Sequence, residues 1–327
     1  MSENGGWANP GGQGDERQPP PGGQPPSAPP PPGYGAPAGG YGKPGVIPLR
    51  PLTVGEILDG AIATMRRHPA LVFGVSAVVA LVEAALTVTL SIVLLKGVAN
   101  APQPGPAATQ QELLDYFYRV LGSSAEVLGV TVLVTVLVRT VLTGFMTVVV
   151  GKAVLGKPIT FGEAMSELGP RLPSLLGVTI IYTVLVAVGF FLCLLPGIWL
   201  YALLGLASPA LVLEQSGIGH ALRRSSLLVR GSWWRVFGIL LLTALCAGVI
   251  SFVVQIPFNL SLGIGGSDMS GLANASIGVQ LLSGVGQVVA QTLVAPFAAG
   301  ATALLYIDQR MRKEGMDIQL ARAAGTV

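Results

Sequence analysis

The sequence predicts an all-α integral membrane protein, with six transmembrane helices arranged as three hairpins, each preceded by a cytoplasmic interfacial amphipathic segment, behind a disordered Pro/Gly-rich N-terminal tail. Three observations predict it. Hydrophobic residues make up 51% of the 327-residue chain, charged residues only 11%, and the mean hydropathy is +0.66. That balance leaves a soluble domain too few polar residues to cover its surface. Apolar runs at 70–95, 127–150, 175–195, 198–213, 235–256 and 277–307 recur along the chain, most of them long enough to cross about 30 Å of hydrocarbon. Finally, 16 of the 19 Lys and Arg residues fall on one side of the resulting topology, which orients both termini to the cytoplasm.

Taken in order, residues 1–48 hold 13 of the 25 prolines and 13 of the 44 glycines. Such a segment buries too little apolar surface to offset its ordering entropy. It is expected to be a disordered cytoplasmic tail with polyproline-II stretches, notably Pro29 to Pro32, able to tether the chain or to dock a protein partner with an aromatic-lined groove.

The membrane domain covers 49–315. Thr53-x-x-Glu56 is a capping box, in which hydroxyl and carboxylate satisfy backbone N–H groups at a helix start. The helix it opens places Val54, Ile57, Leu58, Ala61, Ile62 and Met65 on one face, with Glu56, Asp59, Thr64 and Arg66 off it. This predicts an interfacial helix with Arg66 and Arg67 near lipid phosphates. Pro69 then redirects the chain into the first span.

A polar segment, 96–126, with a short helix at 110–121, leads to the second span. Thr160-x-x-Glu163 repeats the capping box and opens a second interfacial segment. The third and fourth spans follow, with Pro196-Gly197 as the tight turn between them and Trp199 and Tyr201 as interface anchors for a short return helix. A third amphipathic segment at 218–230 sets Ile218, Ala221, Leu222, Ser225 and Val229 against Arg223, Arg224 and Arg230. Trp233, Trp234 and Arg235 then form an aromatic-basic anchor for the fifth span. A Gly/Ser-rich loop with Asp268 precedes the sixth, expected to kink at Pro296 and polar at Gln280, Gln287 and Gln291. A basic stretch with Arg310, Arg312 and Lys313 closes the domain, and 316–327 form a C-terminal tail.

The formal charge of +3 and pI of 9.0 would point to nucleic acid in a soluble protein. Here the basic residues flank apolar runs, as orientation signals do, so nucleic acid is not an expected partner. Cys193 and Cys246 sit inside apolar runs without ligand spacing, so neither a disulfide framework nor a metal site is expected, and no cofactor. The chain opens without a basic region, apolar core and cleavage site, so insertion is expected to rely on its own spans.

Three stretches carry a resemblance: Arg50-Pro-Leu-Thr-Val-Gly-Glu-Ile-Leu-Asp-Gly60, the run from Ala221-Leu-Arg-Arg-Ser225 to Trp234, and Leu305-Tyr-Ile-Asp-Gln-Arg-Met-Arg-Lys-Glu-Gly315. They resemble the bacterial membrane-domain family named after glycerophosphoryl diester phosphodiesterases. With the Pro/Gly tail, the chain is similar to the proline- and glycine-rich transmembrane proteins of actinobacteria. The resemblance covers about 47–320. It implies a six-helix plasma-membrane domain without the catalytic barrel fused to some relatives, so the phosphodiesterase activity is not implied.

Few residues could carry chemistry. Glu83 and Arg139 sit mid-span in the first two, antiparallel helices. An unpaired charge there costs about 2.5–3.5 kcal/mol on insertion scales, which predicts that they pair, facing the bundle interior. Such a pair serves either as a structural register lock or as a proton, ion or headgroup site. Gln287 and Gln291 lie one turn apart and suit either helix–helix hydrogen bonding or the same interior site. Residues 151–157, Gly-Lys-Ala-Val-Leu-Gly-Lys, nearly spell a phosphate-binding loop. However, Pro158 replaces the required hydroxyl and the segment ends a membrane helix rather than following a strand. His68 and His220 are solitary.

No catalytic set emerges. The expectation is a non-enzymatic multi-pass protein of the bacterial plasma membrane, an envelope- or lipid-associated scaffold whose partners are membrane lipids and a protein for the tail. The alternative is a small transporter or channel with a midplane site at Glu83 and Arg139. The lipid-contacting candidates are Arg66, Arg67, Arg223, Arg224, Trp233, Trp234 and Arg235. Oligomeric state is not encoded legibly.

Overall fold

The computed structural model describes residues 46–48, 50–99, 105, 108–259 and 277–315. Nearly all of the expected tail, the loop with Asp268, the segment 316–327 and the side chains of Lys96 and Gln280 lie outside the described residues. Among the described residues there are ten α-helices and no strand: α1 Val54–Arg67, α2 Pro69–Ala99, α3 Gln110–Val154, α4 Phe161–Leu168, α5 Leu172–Leu192, α6 Leu194–Leu204, α7 Ala207–Glu214, α8 Ile218–Val229, α9 Trp233–Asn259 and α10 Ile277–Glu314. Six helical stretches are long and apolar enough to cross a membrane: Pro69–Thr89, Gln110–Val154, Phe161–Leu192, Leu194–Glu214, Trp233–Phe258 and Leu281–Glu314.

Local chemistry sets the helix starts. The capping boxes at Thr53/Glu56 and Thr160/Glu163 both form. A third, Thr109/Glu112, opens α3 and is as plain in the sequence as the other two. It starts a single continuous helix where a polar segment with a separate short helix was expected. The helix runs unbroken through Gly122 and Ser123, and the Ser123 hydroxyl donates to the carbonyls of Arg119 and Val120 at 2.9 and 3.0 Å. With 45 residues, α3 is about 67 Å long at 1.5 Å per residue, twice the hydrocarbon thickness.

The return between α5 and α6 falls at Cys193, whose backbone is extended (φ −169°, ψ 151°). Pro196-Gly197 is not the turn. Both residues lie in the first turn and a half of α6, where proline's missing N–H has no intrahelical partner to lose. Gly197 instead permits close packing, since a Cβ there would sit 2.8 Å from the Phe190 backbone nitrogen.

Helix α10 lies at the centre, packing against α9, α2, α3 and α1. It runs through Pro296 to Glu314, so Arg310, Arg312 and Lys313 belong to its last turns. The α1 face also differs from the expected one. Thr64 is buried, with its hydroxyl donated to the Gly60 carbonyl at 2.8 Å, while Ile62 is 40% exposed. Gly60 explains the rotation: a Cβ there would meet Ile47 Cγ2 at 2.6 Å and Leu304 Cδ1 at 2.9 Å, so α1 approaches α10 closely along that line.

The buried apolar residues fall into two clusters. One joins Ile47, Leu52 and Ile57 to Leu228, Val236 and Leu304. The other joins Val72, Phe145 and Met146 to Leu168, Leu175 and Leu211. Both collect at the end of the bundle bearing α1, α4, α8 and the C-terminal turns of α10. Towards the other end large apolar residues are exposed, among them Leu81, Leu128, Phe191, Leu195, Phe252 and Leu281. Exposed apolar surface on this scale suits a membrane location, where lipid covers it.

Candidate functional site

Two polar assemblies stand out. The first is in mid-helix. Glu83 is 14 residues into α2 and Arg139 15 residues before the end of α3, so each lies about 20 Å along its helix from the shared end. Arg139 Nε donates to Glu83 Oε1 at 3.2 Å and Nη2 lies 3.1 Å from the same oxygen. The pair is asymmetric, because the Glu83 side chain is 5% exposed and that of Arg139 is 45% exposed. The carboxylate is sealed between helices, while the guanidinium opens onto the flank of the bundle rather than its interior. Gln287 and Gln291 are half-buried on α10, and among the described residues they make no hydrogen bond to either partner.

The second assembly lies at the end of the bundle bearing α1, α8 and the C-terminal turns of α10, beside the apolar cluster of Leu52, Val236 and Ile307. Asp308 has no exposed side-chain surface. It accepts from Leu52 N–H at 2.8 Å, from Arg235 Nη2 at 3.0 Å and from Arg312 Nε at 2.9 Å. The same two arginines donate to the Leu52 carbonyl at 2.8 and 2.6 Å. One carboxylate thereby clamps the strap before α1 to α9 and α10, and a buried charge of this kind is tolerated only when it is paired and bonded.

Beside this clamp, Glu214 at the end of α7 accepts from Arg224 Nε at 2.7 Å and from the Tyr306 hydroxyl at 2.5 Å. Arg224 also pairs with Glu314, which holds Arg310 Nε at 3.1 Å. Lys313 Nζ donates to the carbonyls of Leu227, at 2.9 Å, and Arg230, closing the C-terminus of α8 as a cation suits a helix end.

A single serine holds the junction of α6 and α7. The helix breaks at Gly205–Leu206, and buried Ser225 of α8 bridges the break: its Oγ accepts from Leu206 N–H at 3.2 Å and donates to the Leu203 carbonyl at 2.8 Å. Ser225 thus satisfies backbone groups that the break releases.

The lipid-contacting candidates therefore fall into two sets. Arg224 and Arg235 are engaged in the network. Arg66, Arg67 and Arg223 are exposed, with Arg67 within 3.5 Å of the Gly156 carbonyl. Trp234 is 79% exposed, while Trp233 stacks on Phe237 with ring centroids 5.0 Å apart and donates to the Trp199 carbonyl at 3.3 Å.

Asp308, Glu214, Tyr306 and Ser225 were not singled out as site residues from the sequence. The signal available is the spacing of charge in Asp308–Glu314, where Asp308 and Arg312, and Arg310 and Glu314, stand four positions apart on one helix face. Among the described residues no group of His, Cys, Asp and Glu could hold a metal ion.

Residues 123–308, more than half of the chain, match a family described as a domain of unknown function, DUF7847. The chain belongs to that family. The matched region starts inside α3 and ends at Asp308, so this family's domain includes two of the three acids of the polar network, Glu214 and Asp308 but not Glu314, and Arg139 but not Glu83. No curated protein and no solved structure matches the chain.

Proposed function

We propose that this is a non-enzymatic multi-pass protein of the bacterial plasma membrane, with both termini in the cytoplasm, that acts as an envelope- or lipid-associated scaffold. Its six spans form three helical hairpins, α1, α4 and α8 lie at the cytoplasmic interface, and the Pro/Gly-rich tail reaches a protein partner. The reading rests chiefly on how the buried charges are used. Asp308, Arg235 and Arg312 bind one another and the Leu52 backbone, an arrangement suited to holding interfacial helices in place. The resemblance over 47–320 to membrane domains without a catalytic barrel supports the same reading, and the uneven distribution of Lys and Arg supports the orientation.

The test is extraction of the full chain from its own membrane in polymer-bounded lipid discs. Enrichment of a protein that is lost when 1–48 are deleted, or of a lipid above its bulk fraction, is the expected result. Recovery with bulk lipid alone and no protein overturns the scaffold. So does ion or proton flux into proteoliposomes that Glu83→Gln abolishes, which is the outcome a midplane transport site requires.

A further inference from the structure

A cavity of about 260 Å³ opens at the polar end, lined by Lys152, Lys157, Arg171 and Arg310 with Glu167 as its one acid. Four structural pieces wall it: the last turn of α3, the α4 end with Arg171, the last turn of α7, and α10 at Tyr306–Arg310. Left-handed residues shape two of those walls, Gly156 (φ 69°) after α3 and Gln215 (φ 54°) after α7. Each positive φ lets the chain turn back where its helix ends.

The charges do not cancel. Lys152 Nζ pairs with Glu167 at 2.5 Å. Arg310 and Arg224 share Glu214 and Glu314, two cations against two acids. Arg171 Nη1 donates to the Val212 carbonyl at 2.5 Å and has no acid partner among the described residues. Lys157 has none either. Arg171 and Lys157 are thus left without an ion-pair partner among the described residues, while Glu163 also lies within electrostatic reach of Lys152, and the two helix C-termini supply only about half a negative charge each. The rest of the lining is apolar, including Val148, Leu155, Leu213 and Ile307.

We propose that this cavity is a binding site for a phosphate-bearing anion, held by Lys157 and Arg171 with Lys152 and Arg310 at its margin. The cavity is smaller than the roughly 300 Å³ at which pockets for drug-sized ligands begin, so it takes a headgroup rather than a whole lipid. Arginine supplies the planar fork that matches phosphate oxygens, and lysine a point charge. A basic pocket between membrane helices with an apolar floor is a known way to hold anionic headgroups. The near-miss phosphate loop at 151–157 returns here in another form. Its segment ends a helix instead of starting one, so the positive charge comes from side chains rather than backbone N–H groups. The phosphate comes from a lipid headgroup or from a soluble phosphate, and only the first source rests on the membrane reading above.

The experiment uses the full chain in detergent, titrated with short-chain phosphatidylglycerol and separately with inorganic phosphate, with bound ligand read by native mass spectrometry. Lys157→Gln is expected to weaken binding about fivefold, the effect of one basic residue near a charged surface, and Lys157→Arg to restore it. Arg171→Gln should add a comparable loss. Arg119→Gln makes the same charge change on the exposed early part of α3, about 50 Å along the helix from Lys152, and should leave binding unaltered. Competition by inorganic phosphate supports a soluble source, and phosphatidylglycerol binding that phosphate does not displace supports a headgroup. Binding by Lys157→Gln equal to the unsubstituted chain, or an equal loss in Arg119→Gln, overturns the site. Either result leaves membrane insertion and the scaffold reading to their own test.

Discussion

Arg235 Nη2 lies 3.0 Å from Asp308 Oδ2, and no side-chain surface of that carboxylate reaches solvent. Because Arg312 and the Leu52 N–H converge on the same acid, removing it takes the counter-ion from two part-exposed guanidinium groups, which keep the Leu52 carbonyl, and leaves a backbone donor unpaired. Breaking a buried pair from one side costs about 3–5 kcal/mol. Asp308→Ala is therefore expected to lower the thermal unfolding midpoint in detergent sharply. Asp308→Asn, which still accepts from Leu52 N–H, should fall between. An Asp308→Ala protein that unfolds at the normal temperature removes the clamp from the account.

Ser225 offers a subtler case. Its hydroxyl replaces two missing helical hydrogen bonds at the α6–α7 break, and leaving a buried polar group unsatisfied costs about 1–3 kcal/mol. Ser225→Ala should lose stability in that range. Ser226→Ala, one residue on and partly exposed, removes only a local bond to the Arg223 carbonyl and should change stability by less than about 0.5 kcal/mol. Equal effects from the two substitutions would show that the break needs no bridge.

The hydropathy of the spans was legible in the sequence because a membrane helix must satisfy its own backbone bonds, so length and composition nearly suffice. Capping boxes are legible for a similar local reason, the one at Thr109/Glu112 as plainly as those at Thr53 and Thr160. The Asp308 clamp was not legible, because Leu52 and Asp308 are 256 residues apart. Nothing local to Asp308-Gln-Arg-Met-Arg-Lys tells a docked helix end from a solvated basic tail. The α5–α6 return is not legible, because Pro-Gly marks turns in general while the return at Cys193 carries no turn residue. The openness of Arg139 depends on how far α3 stands from its neighbours, which sequence periodicity does not report.

Acid should loosen α1 in two stages. The Thr53 backbone N–H, helped by its hydroxyl and by Arg50 and partly offset by burial, holds the Glu56 carboxyl below its ordinary value of 4.5. With the folded value depressed, the capping contribution is present above 4.5 and is lost as pH falls through the folded value. Burial, with the charge of Arg67, pushes the His68 imidazole below 6.5. The folded state there resists protonation, so stability is full above 6.5 and declines as pH falls from that point towards the folded value. Hydrogen exchange of the α1 amides, corrected for intrinsic rates, should show constant protection above about pH 6.5 and stepwise loss below it. Glu56→Gln should abolish the lower step alone, and an unchanged lower step in that variant contradicts the assignment.

The pair in mid-helix yields the sharpest discrimination. Glu83 is sealed and Arg139 half open, so the two single losses are not equivalent. Arg139→Leu leaves a buried carboxylate without its cation. Glu83→Leu leaves a guanidinium already on the flank, where its long side chain can bend towards a polar boundary. Arg139→Leu is therefore expected to reduce the amount of folded protein recovered from membranes more than Glu83→Leu does. Exchanging the charges, Glu83→Arg with Arg139→Glu, should recover part of the yield but not all, because the larger guanidinium must then fit the sealed position. A structural pair predicts that recovery with no dependence of any flux on pH. If the exchange recovers nothing beyond either single substitution, the contact between Glu83 and Arg139 does not hold α2 against α3.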